Sequence, residues 1–542
     1  MKPYQFIPAL LLVLFCSSVV AQVPYPFAWV KSTTSTSSTS ESISSSYTDP
    51  NGNTYVVGKF TGTADFDPGP STFNLTANTT DVFIAKYTAL GALVWAKSFT
   101  TATSSAFLNP TDIAVDASGN VYVCGIFSET VDFDPGTSVY NLSSTGGPNP
   151  DIFLVKLSSP GNFVWAGQIG GVSFETVSSI AVDGSDIYVT GRFQDTTDFD
   201  MGPGVSNLIP GGGVGSVDPF VAKYTTASGA LVWAKQFKGS GGFGFSSAEK
   251  ILISSSNVLV TGFFSSTVDF DPGSGVFNLT STSGAPDFFI CQLNSAGNFM
   301  WAKSVGGAGM DLVNSMTVDN LGNILLCGTF DMTVDFDPGP GTVNITPISS
   351  PTPDFFVLKL DLLGNYVWAK GIGGPQFENA KKIITNSTND IFIVGHFMDT
   401  VDFDPGPGTA ILNATSGSVN NGFILKLSST GNFQWVKQLS TSMSIYTNGI
   451  GLDSFENLYI TGDFNGTCDF DPGSGTVNLT ADGIDAFILK LNASSTSINQ
   501  QSLVENQFKV YPTVAQEYLY IHPSQPANYL LQIIDVQKLL CI

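Results

Sequence analysis

Histidine and arginine are almost absent from this chain of 542 residues: there are two histidines, His396 and His522, and one arginine, Arg192. A histidine metal cluster or a Ser-His-Asp set cannot be assembled from so few imidazoles. Charge is also scarce, at 12% of residues, and one-sided, with Asp+Glu 44 against Lys+Arg 21 and a net charge of −23. That balance excludes a basic groove for nucleic acid and disfavours anionic lipid. Cations, or partners with basic patches, are its electrostatic complements. There is no CxxC pair among the six cysteines, and no Gly-rich phosphate loop, so neither a zinc site nor a disulfide framework is expected. Cys124, Cys291, Cys327, Cys468 and Cys541 read as isolated thiols acting as small apolar strand residues.

Long apolar runs are missing after the N-terminus, where none reaches the roughly 18 residues a membrane helix needs, so no membrane insertion is expected. The first residues differ. MKPYQFIPALLLVLFCSSVVAQ has a positive start at Lys2, an apolar stretch from Phe6 to Phe15 and a small residue at Ala21. This is the pattern of a secretory signal over 1–21, with cleavage after Ala21. A lipid anchor at Cys16 is opposed by the bulky Phe15.

What the chain has is repetition. Asp-Phe-Asp recurs at Asp65, Asp132, Asp198, Asp269, Asp335, Asp402 and Asp469, at spacings of 67, 66, 71, 66, 67 and 67. Pro-Gly follows every copy but the third, which has Met201-Gly202. All seven tryptophans share a second context, from FAWVK at Trp29 through LVWAK at Trp95 to FQWVK at Trp435. Each period holds four strand-like runs, in the second repeat DIAVD (112–116), VYVCGIF (121–127), DIFLVKL (151–157) and FVWAGQI (163–169). Gly/Asn turns join the first pair and the last pair. The runs are too apolar for a sheet with one wet face, so stacked sheets buried on both sides are expected.

Four strands per repeat and seven repeats predict an all-β fold, a seven-bladed β-propeller. The phase predicts closure. The chain opens on a lone Trp strand, Phe27 to Lys31, and the seventh repeat ends at DAFILKL (485–491) without one. The N-terminal strand is therefore expected to complete the last blade, which removes exposed edges. The expected domains are the signal peptide 1–21, the propeller 25–491, a polar linker 492–507 and a tail 508–542.

Two segments of each repeat resemble the SBBP family of bacterial β-propeller repeats: the Asp-x-x-Gly-Asn-x-Tyr-Val-x-Gly strand pair (Asp49 to Gly58, Asp116 to Gly125) and the Asp-x-Phe-x-x-Lys-Leu strand (Asp151 to Leu157, Asp485 to Leu491). The resemblance covers about 25–491 and implies a propeller used outside the cell, with no assigned activity. The Asp-Phe-Asp-Pro-Gly insert departs from the short form of that repeat. The tail resembles the C-terminal sorting domain of the Bacteroidetes type IX secretion system, a small β-sandwich. The resemblance rests on Val510-Tyr511-Pro512, the alternating run Tyr518 to Ile521 and the Ile-x-Asp strand Ile533 to Asp535. It lacks the glycine turn after Asp535 and the closing strands, so a truncated sorting domain is expected. Together these imply a secreted or outer cell-surface bacterial protein.

The candidate site residues are the fourteen carboxylates of the repeated motif: Asp65, Asp67, Asp132, Asp134, Asp198, Asp200, Asp269, Asp271, Asp335, Asp337, Asp402, Asp404, Asp469 and Asp471. They should lie in equivalent loops on one face, the two Asp of each copy pointing one way and Phe the other. Carboxylates spaced i, i+2 before a Gly turn suit Ca²⁺, which takes oxygen ligands in flexible geometry. The competing and favoured reading is a structural turn, in which Asp and Pro-Gly set the bend and Phe fills space between blades. No catalytic residue and no certain cofactor emerges, only Ca²⁺ as a candidate. Sialidase chemistry is excluded by the single arginine and by Ser159, Ala227, Ser295, Leu362 and Ser429 where that family's Asp-box carries Asp. His396 stands in the variable slot of a Gly-x-Phe triplet and reads as incidental.

The function expected is a monomeric binding or interaction scaffold with an extracellular protein or glycan as partner, and enzymatic activity is not favoured. The alternatives are an extracellular carbohydrate-active hydrolase or lyase using carboxylates, and a purely structural surface protein.

Overall fold

The computed structural model describes residues 25–35, 39–101, 103, 105–213, 215–239, 245–493, 508–511 and 520–523. The chain divides into a main body, Tyr25–Ala493, and a second unit made of Met1–Pro24 with Ser494–Ile542. Of the second unit, one antiparallel pair is described, Phe508–Tyr511 with Tyr520–Pro523. The signal segment, most of the linker and the Ile533 to Asp535 strand lie outside the described residues. Among the described residues no helix is long and apolar enough to cross a membrane.

The main body is all-β and follows the repeat. In the second repeat the four runs form strands Leu108–Val115, Val121–Phe127, Asp151–Leu157 and Phe163–Gly171, each antiparallel to the next. Val121–Phe127 is buried at every position, as expected for a sheet covered on both faces. The third repeat repeats the plan with Glu175–Asp183, Asp186–Gln194, Val217–Thr225 and Leu231–Gln236.

Every first strand carries a bulge at the same place. The extra residue is Ser44, Thr111, Ser178, Glu249, Asn314, Lys381 and Asn448 in turn. A glycine of the second strand makes room for it. A Cβ on Gly58, Gly125 or Gly395 would run into the carbonyl oxygen of Ser42, Asn109 or Asn379. The last glycine of the Tyr-Val-x-Gly signature is thus a close-approach residue, one of the ordinary uses of glycine in strands.

Neighbouring repeats are joined in three ways. First, the fourth strand of one repeat runs on to pair with the first Asp of the next motif: Thr100 with Asp132, Gly170 with Asp198, Lys238 with Asp269, Gly306 with Asp335, Gly373 with Asp402 and Ser440 with Asp469. Second, each Trp but Trp435 lies on the positive-φ glycine that turns the third strand into the fourth in the following repeat. A Cβ on Gly161 (φ 82°) would come within 2.9 Å of the Trp95 ring. Third, three Trp indoles donate across the seam, Trp95 Nε1 to the Ser159 carbonyl at 3.1 Å, Trp165 Nε1 to that of Thr226 at 3.3 Å and Trp233 Nε1 to that of Ser295 at 3.3 Å.

The N-terminal strand joins the seventh repeat. Phe27–Ser32 pairs antiparallel with Asn478–Leu491, with Val30 opposite Leu489. Its continuation pairs Thr34 with Asp65 of the first motif, and Trp29 lies on Gly91 of the first repeat. The seventh repeat has no third-to-fourth turn of its own to set against Trp435. Tyr25 stands there instead, with ring centroids 5.5 Å apart.

Candidate functional site

The fourteen motif carboxylates sit where the repeat predicts, each pair at the end of a short hairpin between the second and third strands. In every copy one oxygen of the first Asp accepts two backbone N–H groups. Asp132 Oδ1 takes those of Asp134 (3.0 Å) and Tyr140 (2.8 Å), and Asp469 Oδ1 those of Asp471 (3.1 Å) and Val477 (2.8 Å). The second Asp accepts the amide of the motif glycine, as Asp134 Oδ1 does from Gly136 at 2.8 Å. The intervening Phe66, Phe133, Phe199, Phe270, Phe336, Phe403 and Phe470 are all fully buried. Side-chain carboxylates that close a turn in this way are Asx motifs. Among the described residues no group of three or more His, Cys, Asp or Glu side chains gathers as a metal site would require. Cys124, Cys291, Cys327 and Cys468 are free, buried thiols.

A second set of acids lies inside the seams. Glu175, at the start of a first strand, faces Asp151 of the preceding repeat, Asp311 faces Asp287, and Glu378 faces Asp354. Glu41 of the first repeat faces Asp485 of the seventh. Burial, and then the neighbouring carboxylate, push Glu41, Glu175 and Asp311 up to about 8 and Glu378 to about 9. These groups keep their protons in the folded state above the pKa of about 4 they have when unfolded. The folded state therefore binds more protons between those values, and stability falls as pH rises. The contribution is complete below about pH 4 and lost as pH passes through 8 to 9. Melting temperature is expected to decline from pH 5 to pH 9, and Glu175→Gln, which mimics the protonated acid, should flatten that slope. A melting temperature independent of pH over this interval would contradict the assignment.

The bulges lead to a different place. Three adjoining cavities of about 610, 220 and 470 Å³ follow the first strands. The first two together are lined by all seven bulge residues, Ser44, Thr111, Ser178, Glu249, Asn314, Lys381 and Asn448. Hydrogen bonds tie the first strands to one another around this space. Asp112 accepts Ser45 Oγ of the first repeat (2.6 Å) and Ser179 Oγ of the third (2.9 Å). Asn314 Nδ2 donates to the Ala380 carbonyl (2.9 Å), and Asn448 Nδ2 to that of Ile43 (3.0 Å).

Leu108 pairs with Phe127, so the chain entering a first strand and the Asp motif leaving the second emerge at the same end of the sheet. At that end Phe107, Phe174, Phe245, Met310 and Met443 are exposed, each just ahead of a first strand. Arg192 lies between two of them, 4.9 Å from the Phe245 ring and 5.9 Å from that of Phe174. His396 is buried beside Phe377 and Tyr446. Burial, and then the charge of Lys381, hold its pKa down to about 3, so it is neutral at physiological pH.

The model of the SBBP β-propeller repeat matches residues 434–467, about half of one period. An uncharacterised WD repeat-containing protein, L264, of Acanthamoeba polyphaga mimivirus is 24% identical over 453 residues, which is 72% of this chain and 32% of that protein. The chain thus spans about a third of the length of the curated relative it matches. Among solved structures, the quinohemoprotein alcohol dehydrogenase of Comamonas testosteroni aligns at 10% identity and a TM-score of 0.38, over 85% of this chain and 76% of its own. Sqt1 of Chaetomium thermophilum aligns at 10% identity and a TM-score of 0.38, over 87% and 99%. At those scores neither likeness decides fold or activity.

Proposed function

We propose that the main body is a closed seven-bladed β-propeller, an exported interaction scaffold that receives its partner at the mouth ringed by Phe107, Phe174, Phe245, Met310 and Met443. Closure is supported by the N-terminal strand, which pairs with the seventh repeat and reaches the first motif through Thr34 and Asp65. Export rests on the signal pattern of residues 1–21 and on the resemblance of the tail to a sorting domain. The binding reading stands on one observation. Phe245 and Arg192 line the cavity of about 610 Å³, Arg192 lies against Phe174 as well, and the other exposed side chains stand at the same end of the sheets, while the motif carboxylates at that end are engaged in holding turns. Aromatic rims of this kind suit the apolar faces of sugars or the side chains of a partner protein.

A glycan array read with the wild-type protein and with Phe174→Ala and Phe245→Ala tests this, with hydrolysis assayed on any hit. Binding weakened by about tenfold or more in each variant is expected, the loss of a buried aromatic contact being worth roughly 1–2 kcal/mol. Binding unchanged in both variants would sink the mouth as the site, and turnover of a bound glycan would move the reading to an enzyme.

A further inference from the structure

Most lysines of the third strands have a carboxylate at hand. Lys223 pairs with Asp186 (2.8 Å), Lys359 with Asp319 (2.8 Å) and Lys426 with Asp390 (2.7 Å). Three others converge instead on the middle cavity of about 220 Å³: Lys250, Lys381 and Lys382. Among the described residues none of these three has an ion pair within 4.0 Å or a hydrogen bond.

The acids nearby are already engaged. Asp112 accepts Ser45 Oγ and the Ile113 amide at Oδ1, and Ser179 Oγ and the Ile180 amide at Oδ2, which fills its acceptor directions, while its charge, attracted to Lys382 and then Lys250, offsets one of the three cations. Asp463 accepts Asn448 Nδ2 at 2.7 Å, and burial pushes its carboxyl up to about 7, so it is only partly ionised at neutral pH. Glu249 faces Arg192. The amides of Asn314 and Asn448 donate within the wall. Burial, then the charge of Lys250, pulls Lys381 below the usual lysine range. Three lysines outnumber the two acids of the same lining, Asp112 and Glu249, so the cavity keeps an excess of positive charge in a chain of net charge −23, and like charges in a partly desolvated space repel. Among the described residues the donors left free in the cavity are the three ammonium groups and the Ser44 hydroxyl.

We propose that this cavity binds an oxyanion, the carboxylate, sulfate or phosphate group of a small ligand, through Lys250, Lys381 and Lys382. The inference rests on the channel mouth proposed above and names the chemistry of what enters it. The adjoining cavity of about 610 Å³, with Phe245, Phe263 and Arg192 in its wall, has room for the rest of such a ligand.

Sulfate, phosphate and acetate, each titrated against chloride at constant ionic strength and followed by thermal melting and calorimetry, test the proposal and separate the three anion types. At least one of the three is expected to raise the melting temperature by about 3 °C or more over chloride. Lys381→Met and Lys382→Met should each weaken that anion about tenfold, and should keep or raise the anion-free melting temperature because repulsion is relieved. Lys97→Met, outside the cavity, should bind as the wild type does. No anion exceeding chloride would overturn the proposal, as would stabilisation retained in both cavity variants. Either result with glycan binding intact at the mouth removes this inference alone. Loss of glycan binding in the mouth variants, with anion binding kept, bears on the scaffold reading instead.

Discussion

Deleting residues 25–33 is expected to abolish cooperative folding of the main body, not merely to fray an edge. The segment is short, but its contacts are distributed over three repeats. Phe27–Ser32 fills the outer position of the seventh sheet, Tyr25 covers Trp435 of the sixth, and Trp29 covers Gly91 of the first. Thr33 exchanges hydrogen bonds with the backbone of Ala486, its amide donating at 3.0 Å and its hydroxyl accepting at 3.1 Å. The ladder contributes about 1 kcal/mol per hydrogen bond, and the buried parts of Tyr25, Phe27, Trp29 and Val30 about 1.5 kcal/mol each or more. The sum is on the order of 10 kcal/mol, comparable with the whole stability of an ordinary domain. A truncated chain should show no cooperative melt, or one lowered by more than about 15 °C. The control is a circular permutant that joins Ala493 to Tyr25 and opens the chain at Gly147, in an exposed loop. The Asn492 amide already donates to the Pro26 carbonyl at 3.0 Å, so the new junction asks for little movement. This permutant should melt within a few degrees of the parent. A truncated chain that melts like the full one would rule out a closing strand.

The second large effect concerns the repeated motif, where the apolar residue should outweigh the charged ones. Phe133 is fully buried, with ring centroids 5.4 Å from Phe99, 5.3 Å from Phe127 and 4.9 Å from Phe153. Phe133→Ala should cost about 3–5 kcal/mol through lost burial and a residual cavity. Asp132→Ala removes an acceptor for two backbone amides and should cost about 1–3 kcal/mol. Asp132→Asn keeps an acceptor oxygen and should cost little. On this ordering the fourteen carboxylates are turn formers, and EDTA leaves the melting curve unchanged. If Ca²⁺ held the loops, chelation would lower the melting temperature by several degrees and Asp132→Asn would do the same. Thermal melts of the three variants with and without EDTA decide between the two.

Much of this was legible without coordinates because the repeat writes each rule seven times. The Gly/Asn turns, the four runs and the motif hairpin follow from local preferences that act within about ten residues. The lone Trp strand at the start made the pairing of Phe27–Ser32 with Asn478–Leu491 an expectation. What sequence could not display was the seam. That Trp95 lies on Gly161, or that Glu175 meets Asp151, depends on how one sheet stacks on the next, and no local pattern encodes the angle. The cavity was missed for a subtler reason. The residues that differ from repeat to repeat lie in the first strands. Counting back 13 or 14 residues from the close-approach glycine finds Ser44, Thr111, Ser178, Glu249, Asn314, Lys381 and Asn448. That column is polar throughout and holds five residue types in seven repeats. Strand alternation hid it, because a bulge shifts the register by one residue and puts a polar side chain where the period-two pattern expects none.

The pairing of each outer strand with the following Asp motif bears on how such a chain lengthens or shortens. Any segment one period long, wherever it is cut, contains one outer strand end and one motif. Copying or losing a whole period in phase therefore leaves every donor edge with a receiver, including the edge supplied by Thr34 to Asp65. A cut of any other length orphans both. Tandem duplication is in this sense neutral with respect to edge pairing, and in the closed ring proposed above the number of repeats would be limited by how the wedges between sheets add up to a full turn. The seven copies are thus interchangeable as joints even where, as at Lys381, they differ as a lining.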